Sequence, residues 1–93
     1  MYSRAKIIIK GLVQKIGFRK FLKDNALKLD IKGYAKNLSK NKVKLFIEGP
    51  KDSIDKMIEI CKKGSDISLI KEIKVEIENY KEEFTSFEIK WTF

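Results

Sequence analysis

Apolar and polar residues alternate through Ala5-Lys6-Ile7-Ile8-Ile9-Lys10-Gly11, with Ala5, Ile7 and Ile9 falling on one side. That period of two predicts a first strand with one face turned to a core. The spacing then changes. Phe18, Phe21, Leu22, Ala26 and Leu29 fall at i, i+3, i+4, i+8 and i+11, which predicts an amphipathic helix of about three turns. Ile31 to Leu38 and Val43 to Gly49 read as two strands of a hairpin joined through Ser39-Lys40-Asn41-Lys42, where Asn41 tolerates the left-handed conformation best. After Gly49-Pro50, the residues Ile54, Met57, Ile58 and Cys61 form a second helical stripe that ends near Gly64. Ile73, Val75 and Ile77 alternate with charged residues, and so do Phe87, Ile89, Trp91 and Phe93, predicting a fourth strand and a C-terminal edge strand.

The order is therefore β-α-β-β-α-β with one strand added. Two helices of this kind each need one apolar face covered, and the sheet offers one, so an α+β fold is expected: an antiparallel sheet of four to five strands with both helices on one face, the ferredoxin-like arrangement. No repeat or linker divides the 93 residues, and one domain spanning 1–93 is expected. This architecture carries many unrelated functions and selects none by itself.

Composition removes several kinds of chemistry. There is no histidine and a single cysteine, so Ser-His and Cys-His nucleophile pairs, a zinc-ligand cluster and an internal disulfide are all excluded. No metal and no cofactor are expected. Cys61 lies on the apolar stripe and is read as a small buried hydrophobe. No apolar run is long enough to cross a bilayer, and Met1 to Ala5 leads straight into strand-like sequence with no signal-peptide region. A cytoplasmic, monomeric protein without membrane attachment is the expectation.

Charge is distributed unevenly. Residues 1–50 hold 13 Lys/Arg against 3 Asp/Glu, whereas residues 51–93 hold 8 against 10. An anionic partner suits the basic half, either a small phosphate compound or a nucleic-acid backbone, although lysines also simply solubilise surfaces. The segment from Gly11 to Arg19 joins a strand to a helix start, where unpaired backbone N–H groups and the positive end of the helix dipole converge. Arg19 in the first turn adds planar bidentate donors suited to phosphate. The pattern is neither a Walker A loop nor a dinucleotide-binding turn.

Gly11-Leu12-Val13-Gln14-x-Ile16-Gly17-Phe18-Arg19, followed by Gly33-Tyr34-Ala35-Lys36-Asn37-Leu38 and Glu48-Gly49-Pro50, resembles the acylphosphatase family in order and spacing. The resemblance extends to Phe87-Glu88-Ile89 near the end of the chain. It implies a ferredoxin-like enzyme that hydrolyses acyl phosphates to a carboxylate and inorganic phosphate. It also implies that the loop Gln14, Lys15, Ile16, Gly17, Phe18 and Arg19 cradles the phosphate, while Asn37 orients the attacking water. Apart from the resemblance, Asn37 reads as a turn or strand-edge residue. The chain departs from the family at Lys15, where glycine is usual. A positive φ there would add roughly 1–2 kcal/mol of strain, or the ammonium would point at the phosphate and tighten binding. Two alternatives remain open: a family member inactivated by Lys15, and a non-catalytic anion- or nucleic-acid-binding module. For the latter the sequence has no RNP1 pattern, and only Tyr34 and Phe46 suggest aromatics on the sheet face.

Overall fold

The computed structural model describes residues 1–14, 17–66 and 68–90. Along the chain run β1 (Tyr2–Leu12), α1 (Phe18–Lys28), β2 (Lys32–Leu38), β3 (Lys42–Pro50), α2 (Lys51–Lys63), β4 (Leu69–Glu78) and β5 (Phe87–Lys90). They build one five-stranded sheet in the order β4-β1-β3-β2-β5. The alternation read from the sequence sorts the sheet into two faces. Ala5, Ile7 and Ile9 of β1, Val43, Leu45 and Ile47 of β3, and Ala35 of β2 are buried on the helix side. Phe18, Leu22 and Ala26 of α1 and Ile54, Met57 and Cys61 of α2 close over them. Fully burying side chains of this size contributes roughly 1.5–3 kcal/mol each, which drives the two layers together.

The two-helix layer on an antiparallel sheet matches the expectation, and the fifth strand adds one difference. β5 pairs with β2 in parallel, Gly33 opposite Phe87 and Lys36 opposite Lys90. The reason lies in the preceding connection. β4 ends at Glu78, in the same transverse row as Arg4 of β1 and Glu48 of β3, and Lys32 at the start of β2 completes that row. The segment 79–86 crosses the open face to the far edge of the sheet and delivers the chain to the beginning of β2. Gly33 N–H donates to Ser86 O at 2.9 Å at that point.

The crossing is held by a buried anchor. Glu48, 3 % exposed, accepts from the backbone N–H groups of Lys81 at 2.8 Å, Glu83 at 2.8 Å and Phe84 at 3.3 Å. Arg4, 4 % exposed, donates to Glu48 at 3.1 Å, Glu78 at 3.2 Å and Glu83 at 2.7 Å. Tyr34 and Phe46, anticipated as sheet-face aromatics, sit on this open face with ring centroids 6.1 Å apart, and Phe84 packs within 6 Å of both.

In the β2–β3 loop, Lys40 and Asn41 both have φ 59°, so the left-handed conformation expected of Asn41 extends to its neighbour. Trp91 and Phe93, read as part of the last strand, lie outside the described residues.

Candidate active site

Gly17 stands at the N-cap of α1, and its φ of 95° is a left-handed conformation that glycine adopts without a Cβ penalty. The first intrahelical bond runs from Phe21 N–H to Gly17 O at 2.8 Å. No side chain caps this end, and the first turn holds no Asp or Glu. Its positive dipole end is therefore uncompensated from within the helix. Phe18 is buried in the core and pins the turn to the sheet, while Phe21 packs partly exposed at its edge.

Topology brings the helix start to Asn37. α1 ends at Lys28 and the chain reverses through 29–31 into β2, so the two elements run antiparallel and the N-terminal turn of α1 lies toward the C-terminal end of β2. Arg19 confirms that placement: its Nη1 donates to Lys90 O at 2.8 Å, and Lys90 is the register partner of Lys36, the residue before Asn37. Arg19 and Asn37, 18 positions apart in sequence, thus occupy one end of the fold.

Asn37 faces the helix side of β2, in register with Val43. Its Oδ1 is buried and has no hydrogen-bond partner among the described residues. An amide oxygen withdrawn from water without a donor costs roughly 1–3 kcal/mol, so a donor in this position has a ready acceptor.

Gln14 lies on the strand side of the loop. Its Nε2 donates to Lys42 O at 2.8 Å and also to Leu38 O, gripping both sides of the β2–β3 turn. The resemblance implies a phosphate-cradling role for Gln14; its side chain ties the end of the segment after β1 to the hairpin that carries Asn37. Lys15 and Ile16, the middle of the expected phosphate loop, lie outside the described residues.

The motif glycines have separate physical reasons. At Gly33, φ is 147° and a Cβ would lie 1.9 Å from Phe46 O, so only glycine lets β2 approach β3 there. A cavity of about 470 Å³ between the start of α1 and the end of α2 has Gly17 on its wall, but neither Arg19 nor Asn37 lines it. It neighbours the candidate site without containing it.

Cys61 behaves as expected for a core residue. It is fully buried, and burial pushes its thiol pKa up to about 12. The other arginine, Arg4, was not singled out from the sequence as a structural anchor. The available signal was its rarity among nineteen lysines together with its place on the non-core side of β1.

The two layers and the strand order define a ferredoxin-like α+β sandwich, with the start of α1, Arg19 and Asn37 at one end. The acylphosphatase family model matches residues 5–89, and the chain belongs to that family. It is similar to an acylphosphatase of Aeropyrum pernix, 36% identical over 89 residues that cover 95% of this chain and 88% of the relative. A Methanocella arvoryzae acylphosphatase is 44% identical over 69 residues, covering 74% of this chain and 78% of the relative. Among solved structures, the crystal structure of acylphosphatase from Bacillus subtilis superposes with a TM-score of 0.90 at 32% identity, covering 98% of this chain and all of that one.

Proposed function

We propose that this chain hydrolyses acyl phosphates to a carboxylate and inorganic phosphate, with Arg19 and the loop Gln14–Arg19 holding the phosphoryl group and Asn37 holding the water. Family membership supports the reaction. The observation that most directly supports the residue roles is the buried Oδ1 of Asn37, without a hydrogen-bond partner among the described residues, at the strand end where Arg19 is anchored.

The chemistry suits a site built from these groups. Water attacks phosphorus in line, the bond from phosphorus to the acyl oxygen breaks, the carboxylate leaves, and the water proton passes to a phosphoryl oxygen. A carboxylate leaves readily, so orientation and charge stabilisation carry most of the task and no histidine is required. Asn37 Oδ1 accepts from the water and aims its lone pair, while the guanidinium of Arg19 and the dipole of α1 stabilise charge on the phosphoryl oxygens. The substrate is read at its phosphate end, which leaves the acyl group loosely specified.

Among the described residues no helix is long and apolar enough to cross a membrane, and the proposed setting is the cytoplasm, with the chain acting as a monomer. The reading is tested by following phosphate release from a simple aromatic acyl phosphate in the presence of EDTA. Turnover that survives chelation and is inhibited competitively by inorganic phosphate supports it; an absence of turnover from pure folded protein refutes it.

A further inference from the structure

The open face of the sheet carries a feature that hydrolysis of a small molecule does not use. Register across all five strands places Lys74 (β4), Ile8 (β1), Lys44 (β3), Lys36 (β2) and Lys90 (β5) in a single transverse row. Residues paired in register point to the same side, and this side is opposite the helices. Four of the five positions are lysine and none is acidic. At about 4.8 Å per strand the row is about 19 Å long.

The rows on either side give this strip a direction. One holds Glu72, Lys10, Lys42 and Leu38, adding two more cations. The other holds Glu76, Lys6, Phe46, Tyr34 and Glu88, with aromatic rings at its centre and carboxylates only at its edges. Beyond that, the 79–86 crossing covers the sheet, so the lysine row is the part left open.

Cations and rings are already in contact. Lys90 Nζ lies 4.3 Å from the centroid of Tyr34, and Lys44 Nζ lies 5.6 Å from Phe46 and 5.8 Å from Tyr34. Among the described residues, Lys36, Lys44 and Lys90 form no ion pair, and Lys74 reaches only Glu72 at 3.8 Å. Aligned ammonium groups without carboxylate partners repel one another, and a polyanion laid along the row removes that repulsion.

The Phe46 ring is covered by the Arg4 guanidinium, 4.2 Å from its centroid, which leaves Tyr34 as the ring open to a ligand. We infer that this face binds single-stranded nucleic acid, with the phosphate backbone along the row Lys74-Lys44-Lys36-Lys90 and unstacked bases against Tyr34. Regularly spaced negative charges answer the lysines, and flat aromatic groups beside them answer the ring. A duplex keeps its bases stacked inside and leaves the ring unused. Inorganic polyphosphate has no bases to offer it. On binding, the ammonium of Lys90 exchanges the face of Tyr34 for a phosphate.

The test is fluorescence anisotropy of a labelled 15-nucleotide oligouridylate titrated with the full chain. Expected is a dissociation constant between about 1 and 100 μM near 0.1 M salt, weakening with a log–log salt slope of about −3 for four phosphates. Lys36→Gln/Lys44→Gln/Lys74→Gln/Lys90→Gln should lose at least about tenfold in affinity, whereas Lys20→Gln/Lys23→Gln/Lys56→Gln/Lys62→Gln on the helices removes the same charge and should lose less than about threefold. If the row variant does not fold, as judged by its thermal melt, Lys36→Gln/Lys74→Gln takes its place with a loss of about fourfold expected. Tyr34→Ala should weaken the oligonucleotide and leave polyphosphate binding unchanged. Equal losses in the row and helix variants, tighter binding of duplex or polyphosphate than of the oligonucleotide, or no saturation below 1 mM protein would each overturn the inference.

Discussion

The side-chain amide of Gln14 donates to Lys42 O at 2.8 Å and reaches Leu38 O as well, so one residue of the loop before α1 clasps both ends of the β2–β3 turn. Asn37 immediately precedes Leu38. The seat proposed for phosphate and the residue proposed for water are thereby tied by a side chain that need touch neither substrate atom. Gln14→Ala should raise KM for an acyl phosphate about tenfold, the equivalent of one lost hydrogen bond, with the thermal midpoint moving by only a few degrees. Gln14→Glu places a carboxylate against two carbonyl oxygens and should be worse than alanine. An unchanged KM in both variants would remove Gln14 from this role.

The Arg4–Glu48 anchor makes a pH-dependent prediction. Burial by itself raises the carboxyl pKa of Glu48, but the amide of Lys81, the guanidinium of Arg4 and the amides of Glu83 and Phe84 outweigh it and hold the group below its ordinary value of 4.5. A carboxyl depressed in the folded state contributes stability that is fully present above about pH 4.5 and is lost as pH falls through the folded-state value. Thermal melts should therefore show the midpoint falling as the buffer is taken below pH 4.5, and this fall should be shallower in Glu48→Gln. At pH 7 that variant should already be roughly 3 kcal/mol less stable, a drop on the order of 15 °C, because it leaves the buried Arg4 short of a carboxylate and weakens the acceptor of three amides. A pH profile parallel to the wild type would contradict the assignment.

Gly33 gives a steric prediction. A methyl group there meets Phe46 O at 1.9 Å in a backbone conformation with φ of 147°, so Gly33→Ala must part β2 from β3. Alanine for glycine in a strand ordinarily stabilises by roughly 0.5–1 kcal/mol. Here the sign reverses, and chemical denaturation should show a loss of at least about 2 kcal/mol.

Cys61 should be silent to thiol reagents. With its pKa near 12 and its side chain fully buried, almost no thiolate is present or reachable at pH 8. Labelling by a disulfide reagent should proceed at the rate of global unfolding and accelerate with denaturant. Labelling within seconds in native buffer would show that the α2 stripe opens more easily than its packing implies.

Much of the fold was legible because burial imposes periodicity. Ala5, Ile7 and Ile9 announce a half-buried strand, and the stripes from Phe18 and from Ile54 announce helices. The outer parts of strands were less visible: Tyr2 to Arg4 and Leu69 to Glu72 carry exposed or paired polar residues, and their place follows from ladder bonds to neighbours rather than from their own pattern. The direction of β5 was not legible, since it depends on a crossing held by backbone amides against Glu48, over 30 residues away. At the site, Arg19 stood out by its place at a helix start. Asn37 was recognisable only through the family motif, because an orphaned acceptor is a property of packing. The clasp by Gln14 joins residues 24 and 28 positions apart and leaves no local trace.

The central claim concerns Arg19 and Asn37, and steady-state hydrolysis of an aromatic acyl phosphate in EDTA by Arg19→Ala and Asn37→Ala tests it most directly. Both variants should melt within a few degrees of the wild type. Asn37→Ala should lose at least about a hundredfold in kcat, and Arg19→Ala at least about a hundredfold in kcat/KM, the usual consequence of deleting one group that acts in the transition state. Wild-type turnover in both folded variants would contradict the account.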